Sequence, residues 1–347
     1  MEVIQSLLTI EQPTKGDDTN AMDVSEPITI GQFAQTNRST IHLGLNALRY
    51  LDEWIVGATS HSYDTNQINV GIPPVPLVER KLDFILQWIY HTSASRSTLA
   101  AQGIDFVCWE TVLRRIAATP FFENMAWGFP VVKLRGVHFF DDTNAIDDAT
   151  GDEPLMRNLS MKFKQYVTSD APLREGNQRA NIQEGSPLMR NLVQQCIVTQ
   201  RSIDGLGLLY GTDVDCIGED GKFVQLKTNP LGVELKTSQL MEWWIKAYLN
   251  GFGRTLVGHI DKDGFIVEIT RLQTGDMLKE AQESNESAAV SFLSAVLHEV
   301  KRRLDGGKEL EQYMVEYSPQ AKTVSIRKLE KAQRIRMLPD YFAHQFH

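Results

Sequence analysis

The order of patterned segments in this chain predicts an α+β fold built on largely antiparallel sheets. Short strand-like runs broken by Gly, Asp and Pro crowd the stretch from residue 203 onward. A helical segment interrupts these strands and the most regular helix of the chain follows them, an order that suggests α+β. Two hairpin patterns close the picture, one of them turning at Asp261-Lys-Asp-Gly264. With 347 residues, 42% hydrophobic, the chain can bury a sizeable core as one large domain or two modest ones.

Taken in order, residues 1–40 read as a loosely ordered arm, because 11 to about 40 is polar and rich in Asp, Thr, Asn and Gln. The segment 77–91 predicts a helix, with Leu82, Ile85, Leu86 and Ile89 on one face. A second helix is expected over 106–118, with Val107, Val112, Leu113 and Ile116 facing the core. Residues 129–140 are β-branched and aromatic with Gly136 between them, so they read as strand. Five Asp and one Glu in 141–153 read as an exposed acidic loop. The sequence PLMRNL occurs at Pro154–Leu159 and again at Pro187–Leu192, two copies where a solenoid needs about three. The polar stretch at 169–186 reads as loose.

Strands are then expected at 206–217, 222–227 and 232–237, a helix at 239–250, and a hairpin of 254–260 with 265–272. In 287–304, Ala289, Phe292, Leu293, Val296, Leu297 and Val300 keep helical spacing throughout. A hairpin of about 312–318 and 322–329 precedes a basic tail. The expected organisation is an arm at 1–40, one domain at 41–330 and a basic tail at 331–347, where Arg327, Lys328, Lys331, Arg334 and Arg336 read as a solvated face.

The net charge of −9 argues against a protein that coats nucleic acid by bulk electrostatics. It leaves room for a nucleic-acid enzyme, since a metal site needs clustered acids and a groove needs only local bases. Cys108, Cys196 and Cys216 are too few for a disulfide framework or a Cys-rich zinc site, which points to a reducing compartment. No apolar run reaches membrane-span length, and the first residues carry no basic start or cleavage site, so a soluble, non-secreted protein without membrane contact is expected. His91, His138, His259 and His298 lack metal-ligand spacing, and Trp243 and Trp244 read as core rather than as base-stacking platforms.

Chemistry concentrates in Asp213-Val-Asp215, followed nineteen residues later by Glu234-Leu-Lys236. Residues two apart on a strand share a face, so each pair points one way. If the two strands are neighbours, three carboxylates and one ammonium converge. Grouped carboxylates repel unless a cation neutralises them. Hard oxygen ligands select Mg²⁺ or Mn²⁺, which bind phosphate oxygens and acidify water. A lysine two residues from the Glu would neutralise charge developing at phosphorus. Taken alone, an E-x-K tripeptide on a strand is more often a solvent-facing ion pair.

Val214-Asp215-Cys216, Val233-Glu-Leu-Lys-Thr-Ser238, Trp243-Trp244-Ile-Lys-Ala-Tyr-Leu249, Arg254-Thr-Leu-Val-Gly258 and Asp263-Gly264 together resemble the DXO family of metal-dependent RNA 5′-end hydrolases. Upstream, Thr119-Pro120 through Leu134-Arg135-Gly136-Val137 and Met161-Lys-Phe-Lys-Gln-Tyr166 resemble further segments of that family. The match runs over about 77 to 317 and is most specific in 213–264.

The resemblance implies a single α+β domain of two packed mixed sheets flanked by helices, with the active site in the cleft between them. It implies hydrolysis at RNA 5′ ends carrying a triphosphate, a cap or an NAD cap, together with 5′–3′ exoribonuclease activity. It assigns catalysis to Asp215, Glu234 and Lys236, and a divalent Mg²⁺ or Mn²⁺ to Asp213, Asp215, Glu234 and Leu235. Arg135 and Lys246 take RNA phosphates, and Thr237 and Ser238 match the residues after the motif lysine. A 5′–3′ exonuclease partner and a nuclear setting, with the cytoplasm as the alternative, are implied in the same way.

Three positions depart from the family pattern. Asp213 stands in place of Glu, Lys246 in place of Gln, and Lys164 in place of a helix Glu that helps bind metal. The last change swaps a negative charge for a positive one, so the alternative reading is a degenerate member that binds RNA 5′ ends or recruits an exonuclease. The position of Lys164 is the most useful observation: an ammonium within salt-bridge reach of Asp213 or Asp215 replaces the metal's charge and argues for a disabled site. A third reading, an unrelated nuclease with the same acidic pattern, predicts cleavage of duplex DNA ends.

Overall fold

In a computed structural model that describes residues 7–8, 22–36, 40–44, 47–58, 61–65, 82–92, 99–122, 124–142, 154–171, 192–280 and 286–345, the chain forms two mixed sheets with helices packed on them. The larger sheet runs β1(Leu7–Leu8), β17(Thr323–Lys328), β16(Gln312–Ser318), β7(Trp127–Leu134), β8(Val137–Phe140), β6(Phe106–Trp109), β11(Leu206–Val214), β10(Leu192–Ile203), β2(Ile28–Thr36), β3(Ile41–Leu43). Every pairing in it is antiparallel except the two made by β6, which runs parallel to β8 and to β11. The smaller sheet runs β5(Tyr63–Asp64), β15(Phe265–Gln273), β14(Arg254–Ile260), β13(Phe223–Pro230), β12(Cys216–Ile217), β4(Tyr50–Leu51), β9(Thr168–Ser169). Two packed, mixed and largely antiparallel sheets are what the resemblance implied.

The helices are α1(Glu53–Gly57), α2(Leu82–Thr92), α3(Glu110–Ala118), α4(Pro154–Val167), α5(Thr237–Asn250), α6(Thr274–Glu280), α7(Glu286–Asp305) and α8(Asp340–Gln345). The principal core gathers α3, α5 and α7 onto the larger sheet, around Phe106, Tyr210, Met241 and Leu297. α4 lies on the smaller sheet, where Phe163 meets Val224, Leu226 and Leu256. Gly258 of β14 permits that approach, since a Cβ there would stand 2.6 Å from the Phe163 ring. Among the described residues, no helix is long and apolar enough to cross a membrane.

Three expectations are corrected. The supposed arm contains β2, which pairs with β10 from Gln200↔Ile28 to Leu192↔Thr36. Its apolar residues keep no strict alternation, and Ile28 and Ile30 are exposed while Phe33 and Ala34 are buried, so the segment carries little strand pattern to read. The expected helix at 106–118 begins as β6, all four residues buried, and turns helical only at Glu110. A short run buried on both faces carries no periodicity to tell strand from helix. The basic tail keeps Lys331, Arg334 and Arg336 exposed, as a solvated face should, while Met337 and Phe342 are buried and Phe342 stands edge-on to Phe139. Finally, 232–237 is not a strand. The acidic run from 143 to 153, the stretch 172–186 and most of the second PLMRNL copy lie outside the described residues.

Candidate active site

The chain crosses from the larger sheet to the smaller one at a single residue. β11 ends at Val214 and β12 starts at Cys216, which leaves Asp215 in the seam. Asp213, two residues back on β11, shares its direction. β12 is followed by β13, which folds back on it with Cys216↔Val224 and Ile217↔Phe223 in register. It continues as Gln225-Leu226-Lys227, ten residues beyond Asp215 rather than nineteen. The backbone N–H of Leu226 donates to Asp215 Oδ2 at 2.8 Å, so β13 grips the carboxylate directly.

Glu234 and Lys236 do not reach this place as strand residues. After β13, Val233 N–H bonds back to the Pro230 carbonyl, and Gly232 supplies the positive φ of 73° that this turn requires. Val233 is 50% exposed, and Glu234 and Lys236 are exposed as well. Lys236 serves as the N-cap of α5, its N–H donating to Gln239 Oε1 at 3.2 Å. Leu235, between them, packs in part against the principal core. The residues expected to close the metal site are a turn and a helix start. Those that occupy the expected strand are Gln225 and Lys227.

Lys164 of α4 settles against Asp215, with Nζ 2.5 Å from Oδ1. Burial opposes its charge, yet the Asp215 carboxylate, helped by Asp213, holds it above the usual lysine value. Asp215 responds in kind. Burial pushes its acidity one way, but Lys164, Lys246 and the Leu226 N–H outweigh that and hold it below the usual carboxylate range. Lys246 of α5 therefore stands near Asp215, as expected.

Lys227 is different. Burial, with Lys246 repelling it, pulls its ammonium down to about 8, against the opposing pull of Asp215 and Glu242. Its Nζ lies 5.9 Å from the centre of the Trp243 ring. Trp243 and Trp244 are both buried. Glu242 is paired with Arg114, which also bonds Glu110 at 3.0 Å. On the same face of β13 as Lys227, Gln225 is 1% exposed and accepts a hydrogen bond from Thr255 Oγ1 at 3.0 Å.

Arg135 falls elsewhere. It makes the β7–β8 turn with Gly136, at φ 53°, and its backbone N–H donates to Glu309. Register places that turn beside the start of β11, since His138 pairs with Phe106 and Phe106 with Leu208. Asp213 stands seven residues further along β11 than Leu206, which is about 23 Å at the rise of a strand. The guanidinium near the site belongs to Arg114 instead.

A divalent metal, implied by the resemblance, does not fit the residues as they stand. Among the described residues, no three His, Cys, Asp or Glu side chains converge to hold one. Both oxygens of Asp215 are engaged, by Lys164 and by the Leu226 N–H. A neutral amide, Gln225, lies on β13 where a carboxylate was expected. The signal for β13 was in the sequence as a tandem repeat: Val224-Gln-Leu-Lys-Thr228 and Val233-Glu-Leu-Lys-Thr237 differ at one position. Glu242, one turn before Lys246 on α5, also went unpaired in the sequence reading because its partner, Arg114, comes from α3.

The model of the RAI1 like PD-(D/E)XK nuclease family matches residues 25–343. The decapping nuclease dom-3 of Caenorhabditis elegans is 24% identical over 253 residues, covering 69% of this chain and 64% of that protein. The chain thus aligns with less than two thirds of the nematode protein's length. The human decapping and exoribonuclease protein is 23% identical over 302 residues, covering 78% of this chain and 73% of that protein. In structure, Candida albicans Rai1 in complex with pU5 and Mn²⁺ superposes with a TM-score of 0.70 at 16% identity, over 94% of this chain and 96% of that one. That likeness shows the fold.

Proposed function

The chain belongs to the RAI1-like PD-(D/E)XK nuclease family, and from that membership we propose that it is a hydrolase acting on RNA 5′ ends. The observation that carries the proposal is Asp215, held in the seam of the two sheets by β13, with Lys227 on that same strand. A terminal phosphate entering between α4, α5 and β13 meets Lys227 and Lys246, whose positive charge favours the negative charge that builds at phosphorus. Asp213 and Asp215 supply the carboxylates. Hydrolysis needs the Asp215 carboxylate free, so Lys164 must leave it. The substrates proposed are triphosphate, capped and NAD-capped RNA ends, in a nuclear setting with an exonuclease partner.

The test is purified protein with 5′-triphosphate RNA and Mg²⁺ or Mn²⁺. Release of pyrophosphate or shortened RNA is expected, and Lys227→Ala should abolish it. No product with either metal at high protein concentration contradicts the hydrolase. Product from duplex DNA ends alone would instead support the unrelated nuclease.

One contact favours a second reading. With Lys164 on Asp215 and an amide at Gln225, the pocket suits a protein that binds RNA 5′ ends without turnover. The two part on wild type beside Lys164→Glu with triphosphate RNA and Mn²⁺. Product from wild type supports the hydrolase. Bound RNA without product in wild type, whether or not the variant turns over, supports the binder.

A further inference from the structure

Donors without acceptors gather on one face of β13. Lys227 is partly buried, and among the described residues it makes no ion pair; the same holds for Lys246. Two residues before Lys227, the Gln225 side chain is buried and its Nε2 has no hydrogen-bond acceptor among the described residues. Buried donors are ordinarily satisfied, and a buried ammonium without a carboxylate costs more than a neutral group would. Carboxylates nearby do not fill the need. Glu242 is held by Arg114, and Asp215 by Lys164. Three ammoniums, on Lys164, Lys227 and Lys246, therefore face the two carboxylates of Asp213 and Asp215. Such a pocket lacks an anion rather than a cation.

We propose that this pocket binds the 5′-terminal phosphate of an RNA strand without any metal, through Lys227 and Lys246, with the Gln225 amide as a neutral donor. Lys164 supplies to Asp215 the positive charge that a divalent cation would otherwise bring. The phosphate oxygens accept charge-assisted hydrogen bonds from the two remaining ammoniums. The proposal rests on the reading that RNA 5′ ends enter here, and adds that their capture is independent of metal.

The experiment is fluorescence anisotropy of the full chain with 3′-labelled pentauridine carrying either a 5′-phosphate or a 5′-hydroxyl, in EDTA. The 5′-phosphate strand should bind at least about tenfold tighter, the scale of one well-placed charge. Lys227→Gln and Lys246→Gln should each erase most of that preference. Lys227→Arg should keep it, and Lys236→Gln should leave it unchanged. Equal binding of the two strands in EDTA overturns the proposal. A preference that appears only with added Mn²⁺ overturns it too, while leaving the hydrolase standing. No binding of either strand under any condition defeats both.

Discussion

Two nearly identical pentapeptides, nine residues apart, meet opposite fates in this fold. Val224-Gln-Leu-Lys-Thr228 is the interior strand of the smaller sheet, between β12 and β14. Val233-Glu-Leu-Lys-Thr237 is a turn that leads into α5. In the first copy Val224 and Leu226 are buried under α4, and Gln225 and Lys227 share the opposite face. In the second, Val233 is exposed and Lys236 lends its backbone to a helix cap. What separates them is connection length and context. A tight return from Asp215 pairs the nearer copy with β12, and the farther copy is left to bridge strand to helix. The acid sits in the copy that lies outside the sheet, and the amide in the copy that faces the seam.

The largest expected effect breaks the comparison in two. Lys227→Ala should lower turnover of a 5′-triphosphate RNA by about 10²–10³, the loss typical of one preorganised charge, and its binding by about tenfold. Lys236→Ala should stay within about twofold of wild type. Anisotropy and product release, run on both variants together, check it. If Lys236→Ala is the damaging change, the catalytic lysine has been placed on the wrong copy.

A stability comparison comes next. Leu226→Ala removes a fully buried side chain packed under Phe163 and should cost about 2–5 kcal/mol in urea unfolding. Leu235→Ala removes a side chain that is only partly buried, and should cost about 1 kcal/mol or less. Equal midpoints would mean that the second copy is as deeply packed as the first.

The smallest effect is in pH. The Lys227 ammonium is pulled down to about 8 in the fold, below the ordinary lysine value of about 10.4. Between those values the unfolded chain binds the extra proton, so stability rises with pH there, and it levels off below about 8, where both states hold that proton. Urea midpoints of wild type should climb more steeply from pH 8 to 10 than those of Lys227→Met. Lys236→Met should follow wild type. A slope that Lys227→Met leaves untouched would contradict burial of that charge.

Legibility in the sequence followed how local each signal was. α7 was plain because six apolar residues keep one helical face over the twelve positions from Ala289 to Val300, and that face is what packs on the larger sheet. The β14–β15 and β16–β17 hairpins were plain because their turns are short and their strands pair with each other. β2 and β10 were missed, since their pairing joins segments more than 150 residues apart and is set by the sheet rather than by either segment. At the site, Asp213 and Asp215 stood out by spacing, and the structure brings Lys164 and Lys246, both named as departures from the family pattern, beside them. Arg135 was not, because a turn residue at the far end of β11 looks the same in sequence as one at the near end. Glu234 was read as the motif acid on an expected strand, whereas hairpin closure places Gln225 on the strand beside Asp215.

The central claim is that Lys164 stands on Asp215 as a fixed cation, so the pocket has no place for a metal until that ammonium is removed. Binding of Mn²⁺ followed by electron paramagnetic resonance, on wild type and on the Lys164→Glu/Gln225→Glu variant, tests it most directly. With no RNA present to draw Lys164 away, wild type should leave the free Mn²⁺ signal undiminished at concentrations where the variant, with two added carboxylates, binds one ion per chain. Stoichiometric Mn²⁺ binding by wild type, lost in Asp215→Asn, would contradict the account.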